Sequence, residues 1–150
     1  MPVSKRELIM QAVEKALKQI TFDNGYETTI KQVSRMVESG FELNIFPSII
    51  IMDQGEDKEE GNPANFTSSN LHLDILFWNE PDLKMSEQAI KIASSIEKAL
   101  GVDQNLGGLA IDTDIVSNRF ILEEEHWPIG GGTVTVNIKY RHFRGDPYSG

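Results

Sequence analysis

Residues 132–143 carry the most regular pattern in the chain. Val134, Val136, Ile138 and Tyr140 alternate with Thr133, Thr135, Asn137, Lys139 and Arg141. That period of two puts β-branched and aromatic side chains on one face of a strand and polar ones on the other. A strand buried on one face belongs to an antiparallel sheet with one covered and one open side. Residues 66–78 supply a partner of similar length. Leu71, Leu73, Ile75 and Phe77 take one face, and Asn70, His72, Asp74, Leu76 and Trp78 take the other, which begins polar and ends apolar.

Helical spacing appears twice. Ser4 and Glu7 stand at the positions of a capping box, followed by Leu8, Ile9, Ala12, Val13, Ala16, Leu17 and Ile20 on one stripe, with Lys5, Glu14, Lys15 and Lys18 outward. This predicts a helix over 5–19, closed by a turn at Asn24-Gly25. Met85, Ala89, Ile92, Ala93, Ile96 and Leu100 stripe a second helix, with Gly101 at its C-terminal stop.

The remaining segments read as strands and connections. Residues 28–36 predict a strand with untidy alternation (Ile30, Val33, Met36), and Ser48 to Met52 a short strand apolar on both faces, set deep in the sheet or against a neighbouring subunit. Residues 53–63 are polar and acidic with two glycines and a proline, which predicts a mobile loop over 53–65. Residues 79–82 turn the chain and 105–108 form a loop. Residues 109–122 predict a strand whose phase shifts near Ser117 and Asn118, as a bulge produces. Residues 123–132 connect it to the final strand, and 144–150 form a loose, turn-like tail. The element order is α-β-β-β-α-β-β. It predicts a single α+β domain over 1–150, a mostly antiparallel sheet with two helices packed on one face.

Composition narrows the function classes. At 150 residues the chain fits one domain, and a domain of that size buries about 70% of its unfolded surface. It has no cysteine, which excludes a disulfide framework, a thiolate metal site and a cysteine nucleophile. The net charge of −9 opposes direct nucleic-acid binding, which depends on neutralising phosphates. No signal peptide or membrane span is legible, so the sequon at Asn65 and Thr67 reads as chance.

Candidate chemistry is sparse. His72 and Asp74 share a strand face and present two ligands to a metal, but no third residue stands at ligand spacing, so a polar sheet face is the stronger reading. His126 follows three glutamates in a solvated turn. Gly130, Gly131 and Gly132 precede a strand rather than a helix N-terminus, which removes the geometry of a phosphate cradle; they suit a connection that moves or meets a partner closely. Asp112 and Asp114 share a strand face as a glycosidase pair does, without any sign of a cleft. Arg144, Gly145 and Asp146 match an integrin-recognition tripeptide by coincidence. No catalytic residue, metal site or cofactor is expected, and the protein reads as a non-enzyme.

Protein contacts are what remain. Trp78 and Trp127 sit at a strand end and in a hairpin loop, positions where large aromatics anchor interfaces, although Trp78 fits a core position equally well. Lys139, Arg141 and Arg144 make a basic strip, and Glu123, Glu124 and Glu125 an acidic one. Two such strips on one subunit suit a head-to-tail ring; scattered surface charge is the competing reading.

Several segments together resemble the tail terminator proteins of long-tailed bacteriophages and prophages, the group that includes the minor tail protein U type. They are the opening helix running into Ile20 and the Asn24-Gly25-Tyr26 turn, the stretch from Phe46 through Pro47 to Ile51 with the acidic segment after it, the long strand at 71–78, the helix ending at Leu100, and the close from Tyr140 to Tyr148. The resemblance implies an α+β subunit that assembles as a hexameric ring. That ring caps the tail tube, ends its polymerisation and offers a joining surface to the head connector or neck protein. It implies assembly in the bacterial host cytoplasm and then residence in the virion tail; the charge and hydropathy of the sequence add the expectation of no direct nucleic-acid binding and no membrane partner. The family is not defined by catalytic residues, so none carry over. Two other readings are a head-tail joining (neck or head-completion) protein and, more distantly, a small α+β enzyme or ligand-binding domain.

Overall fold

The computed structural model describes residues 3–36, 45–60, 65–79, 84–122 and 130–148. Its main elements, in chain order, are α1 (Lys5–Lys18), β1 (Gln32–Arg35), β2 (Ser48–Glu60), β3 (Phe66–Trp78), α2 (Met85–Gly101), β4 (Asp112–Leu122) and β5 (Gly130–Phe143). The strands form one sheet in the order β1-β2-β3-β5-β4, with β1 and β2 parallel and every other pair antiparallel. This is the α+β architecture that the alternating and helical patterns predict.

The two long alternating stretches are partners. β3 and β5 pair along their whole length, so Leu71 faces Ile138, Leu73 faces Val136 and Ile75 faces Val134. These side chains join Ile49 and Ile51 of β2 on one side of the sheet. Ile9, Val13 and Leu17 of α1 and Ala89, Ile92, Ile96 and Leu100 of α2 pack into the same buried cluster. Both helices therefore cover the same face. Each fully buried Leu or Ile there contributes roughly 1.5–3 kcal/mol relative to exposure. The other face carries no helix among the described residues.

Helix α1 begins as its sequence predicts. The Ser4 hydroxyl accepts a hydrogen bond from the Glu7 amide at 3.1 Å. The Glu7 carboxylate pairs with Arg35 of β1 at 2.8 Å, which ties the first turn of the helix to the sheet edge. Gly25, at φ 87°, closes the turn that follows, its amide donating to Phe22 O.

Several boundaries differ from the sequence reading, each for a local reason. Of the strand predicted over 28–36, only Gln32–Arg35 pairs with β2. Upstream, Ile30 donates to Ile20 O and Lys31 to Pro47 O, so those amides are spent outside the ladder. The loop predicted from Asp53 onward is, as far as Glu60, the second half of β2, paired with β3 through a bulge between Asp53 and Glu56. Polar side chains can stay in a strand when ion pairs and hydrogen bonds satisfy them, and here Arg6, Lys58 and Tyr140 do so. Residues 61–64 of that predicted loop lie outside the described residues.

Gly101 is the last residue of α2, and the cap is Val102 in a right-handed conformation rather than a left-handed glycine. β4 starts at Asp112, three residues later than predicted, and its register shifts between Ile115 and Ser117, one residue from the expected bulge. The tail over 144–148 is a turn fastened at both sides: Arg144 donates to Asn65 O, Asp146 to Phe143 O, and Lys5 to Pro147 O.

Candidate functional site

The open face of the sheet is a series of cross-strand rows. At one end Ile50 faces Leu76 and Ser48 faces Trp78; Ile50 is buried and Trp78 half-buried. At the other end Asp57, Asn70 and Lys139 form one row, and Glu59, Ser68 and Arg141 the next. The Arg141 guanidinium lies 4.6 Å from the Phe66 ring centroid, and Phe66 stacks on Phe143 at 5.1 Å. A cation held over a ring is fixed in place without losing its charge.

The residues expected at an interface are thus partly gathered. Lys139 and Arg141 are exposed neighbours on β5, and Arg144 is exposed in the turn just beyond. Trp78 lies at the opposite end of β3, roughly 30 Å away at the rise of an extended strand. Trp78 therefore belongs to a different part of the surface. Glu123, Glu124, Glu125 and Trp127, with His126, lie outside the described residues.

His72 and Asp74 do not converge on a common point. The His72 ring is held between Asn137 Oδ1, at 2.6 Å from Nδ1, and Asp57 Oδ2, at 2.9 Å from Nε2. Asp74 instead accepts from the Thr135 hydroxyl at 3.0 Å. With oxygen acceptors at both ring nitrogens, both bonds form only when the ring carries two protons. The hydrogen bond to Asn137, then that to Asp57, raises the His72 pKa above its ordinary value. This is a cross-strand clasp linking β2, β3 and β5.

On the helix-covered side, beneath the start of α1, the sheet carries a charged cluster that sequence reading missed. Glu56 is nearly enclosed. Its two oxygens accept from the Tyr140 hydroxyl at 2.7 and 2.9 Å, and it pairs with Lys58 at 2.8 Å and Arg6 at 3.2 Å. Arg6 also pairs with Asp53 at 2.6 Å, and Lys58 reaches Ser69 Oγ at 3.1 Å and a His142 ring nitrogen at 3.4 Å. Burial alone would raise the Glu56 pKa, but hydrogen bonds from Lys58 and Tyr140 and the charges of Lys58 and Arg6 outweigh it and hold the carboxyl below its usual range. Burial and then Glu56 push the Tyr140 hydroxyl far upward. Glu56 is ionised and Tyr140 protonated around neutral pH, and their hydrogen bonds and ion pairs join β2, β5 and α1. The available signal was the period-two placement of Glu56 and Lys58, which the acidic composition of the segment obscured.

The other candidate motifs are engaged locally. A shallow depression of about 320 Å³ lies between the end of α2 and the start of β4, with Asp103 and Asp112 in its wall. Asp103 accepts from the Gly107 amide within its loop, and Asp112 from the Thr113 amide at the start of β4. Asp114 is exposed on β4. Asp146 accepts from the Tyr148 amide inside the tail turn. Gly131 and Gly132 are buried where β5 runs between β3 and β4. A Cβ at Gly131 would fall on the Phe77 carbonyl oxygen, and one at Gly132 on the Arg119 carbonyl oxygen and the Phe77 ring. The glycines serve close strand packing within this chain. Among the described residues no group of three His, Asp or Glu side chains gathers as a metal site, and no helix is long and apolar enough to cross a membrane.

No family model matches the chain, and no curated protein matches it. Among solved structures, a chain from the virion of a native gene transfer agent particle is similar over 92% of each chain, at 6% identity and a TM-score of 0.44. At that score and identity no role follows from the likeness.

Proposed function

We propose that the protein is a virion assembly subunit that closes into a ring, hexameric in the resembled family, on the end of a phage or prophage tail tube. There it stops tube polymerisation and presents the joining surface for the head connector. The resemblance of its sequence segments to tail terminators supplies the role. One structural observation carries it: both helices lie on one side of the sheet, and among the described residues the opposite face, with its charged rows, carries no helix. A subunit that must meet a copy of itself, a tube and a connector needs such broad surfaces rather than a cleft. On this reading the partners are further copies, the tail-tube protein and the neck protein, and the protein moves from the host cytoplasm into the virion tail.

The test is to incubate purified protein with its cognate tail-tube protein and measure tube lengths by negative-stain microscopy. Short tubes with a distinct terminal ring are the expected outcome. Tubes that grow unchecked and bare overturn the capping role and assign the chain to the head-side joining proteins.

A further inference from the structure

At one end the sheet narrows to three strands. β1 pairs only with residues 48–51 of β2, and β4 starts opposite Lys139, so beyond these limits only β2, β3 and β5 remain. One border of this three-strand end is β2, which turns Asp57 and Glu59 to the open face. The other is β5, which turns Arg141 to the same face; Lys139, two residues back on that face, is flanked by Asp112 of β4. All four residues are exposed. Asp57 touches His72, yet its side chain remains 85% accessible. Asp112, the cross-strand neighbour of Lys139, directs its carboxylate to the Thr113 amide.

We propose that these two borders are the complementary halves of a head-to-tail contact between copies of this chain, Glu59 of one copy meeting Arg141 of the next, with Asp57 brought to the row of Lys139. The inference rests on the assembly reading above and names the surface through which it operates. Its support is register. Asp57 shares a row with Lys139, and Glu59 shares a row with Arg141, each across a single β3 residue. Both β2 and β5 run antiparallel to β3, so the acidic and basic pairs point the same way, with the same two-residue spacing of about 6.6 Å. A neighbour set beside the β2 border with its strands in the same direction aligns both pairs at once.

At the basic border the Arg141 carbonyl oxygen already accepts from Lys5 Nζ at 2.8 Å. Contact there runs through side chains, and the Phe66–Phe143 stack holds the guanidinium in position. A heterologous contact of this kind builds rings when its rotation closes.

The test is sedimentation velocity on the wild type, E59K, R141E and the double variant E59K/R141E, at low and high ionic strength, with circular-dichroism melts to verify folding. The wild type is expected to associate more strongly at low salt. Each single reversal should weaken association at least tenfold, since like charges then face each other. The double variant should recover to within about threefold of the wild type, because the exchanged charges again attract. A wild type that stays monomeric at ~1 mM and low salt, single variants that associate like the wild type, or a double variant no better than the singles each overturns the contact. The same four proteins in the tube-capping assay separate the two proposals. Capping that ignores the charge reversals leaves the terminator role standing without this contact. Rescued association without capping leaves the contact standing without the role.

Discussion

Glu56 and His72 respond to pH in opposite directions. The Glu56 carboxyl is held below its ordinary value, so its contribution is present above the unfolded carboxylate pKa, near 4, and is lost as pH falls through the folded value. The His72 pKa is raised, so its contribution is complete below about 6.5 and is lost as pH rises through the folded value. Urea-denaturation midpoints between pH 3 and pH 9 should therefore decline at both ends. H72Q should flatten the alkaline decline, an effect below about 1 kcal/mol because the ring is partly exposed and screened. E56Q should lower stability by about 1 kcal/mol at pH 7, since Arg6 and Lys58 lose a counter-charge but are themselves partly exposed and Arg6 keeps Asp53. An unchanged midpoint for E56Q would mean that the cluster contributes nothing. Neither partnership was legible in the sequence. Spacing pairs His72 with Asp74, its neighbour on the same face, whereas its partners Asn137 and Asp57 come from other strands, where no local spacing points to them.

At the level of elements, legibility followed apolar periodicity. α1, β3, α2 and β5 all carry a clean stripe or alternation, and all four occur close to their predicted bounds. The second half of β2 lacks any apolar row, and composition alone made it a loop. Its strand is held by pairing with β3 and by the charges around Glu56. The glycines leading β5 show the same limit: their role depends on what stands across from them. G132A should lose about 2 kcal/mol or more, because the methyl meets a backbone oxygen and a packed ring. G101A, where an added methyl meets nothing at the end of α2, should be neutral or stabilising by up to ~1 kcal/mol. Denaturant midpoints of the two variants compare them directly, and equal midpoints would refute the close-packing account.

For the whole molecule, the layout predicts a gradient of protection. β3 is paired on both sides along its centre and faces the helix layer, while β1 has four residues and β4 is an edge. Native-state hydrogen exchange should find the slowest amides in β3 and β5 and faster ones in β1 and the outer side of β4. Uniform protection across the sheet would contradict this order. The assembly surface was legible in part. Lys139, Arg141 and Arg144 stand out in the sequence as a basic strip, but the acids in register with the first two, Asp57 and Glu59, lie in a stretch whose acidic composition reads as a loop.

The sheet order also bears on synthesis. β3 and β5 are neighbours in space, yet α2 and β4 are translated between them. At ~5–20 residues per second the ribosome takes several seconds to travel from Trp78 to Phe143. Until then the β2–β3 hairpin has emerged with Leu71, Leu73, Ile75 and Phe77 lacking the strand that flanks them and one ladder edge unpaired. A nascent chain stalled before Gly130 therefore leaves the β5 side of the β3 ladder open and its apolar row without the neighbouring Val134, Val136 and Ile138.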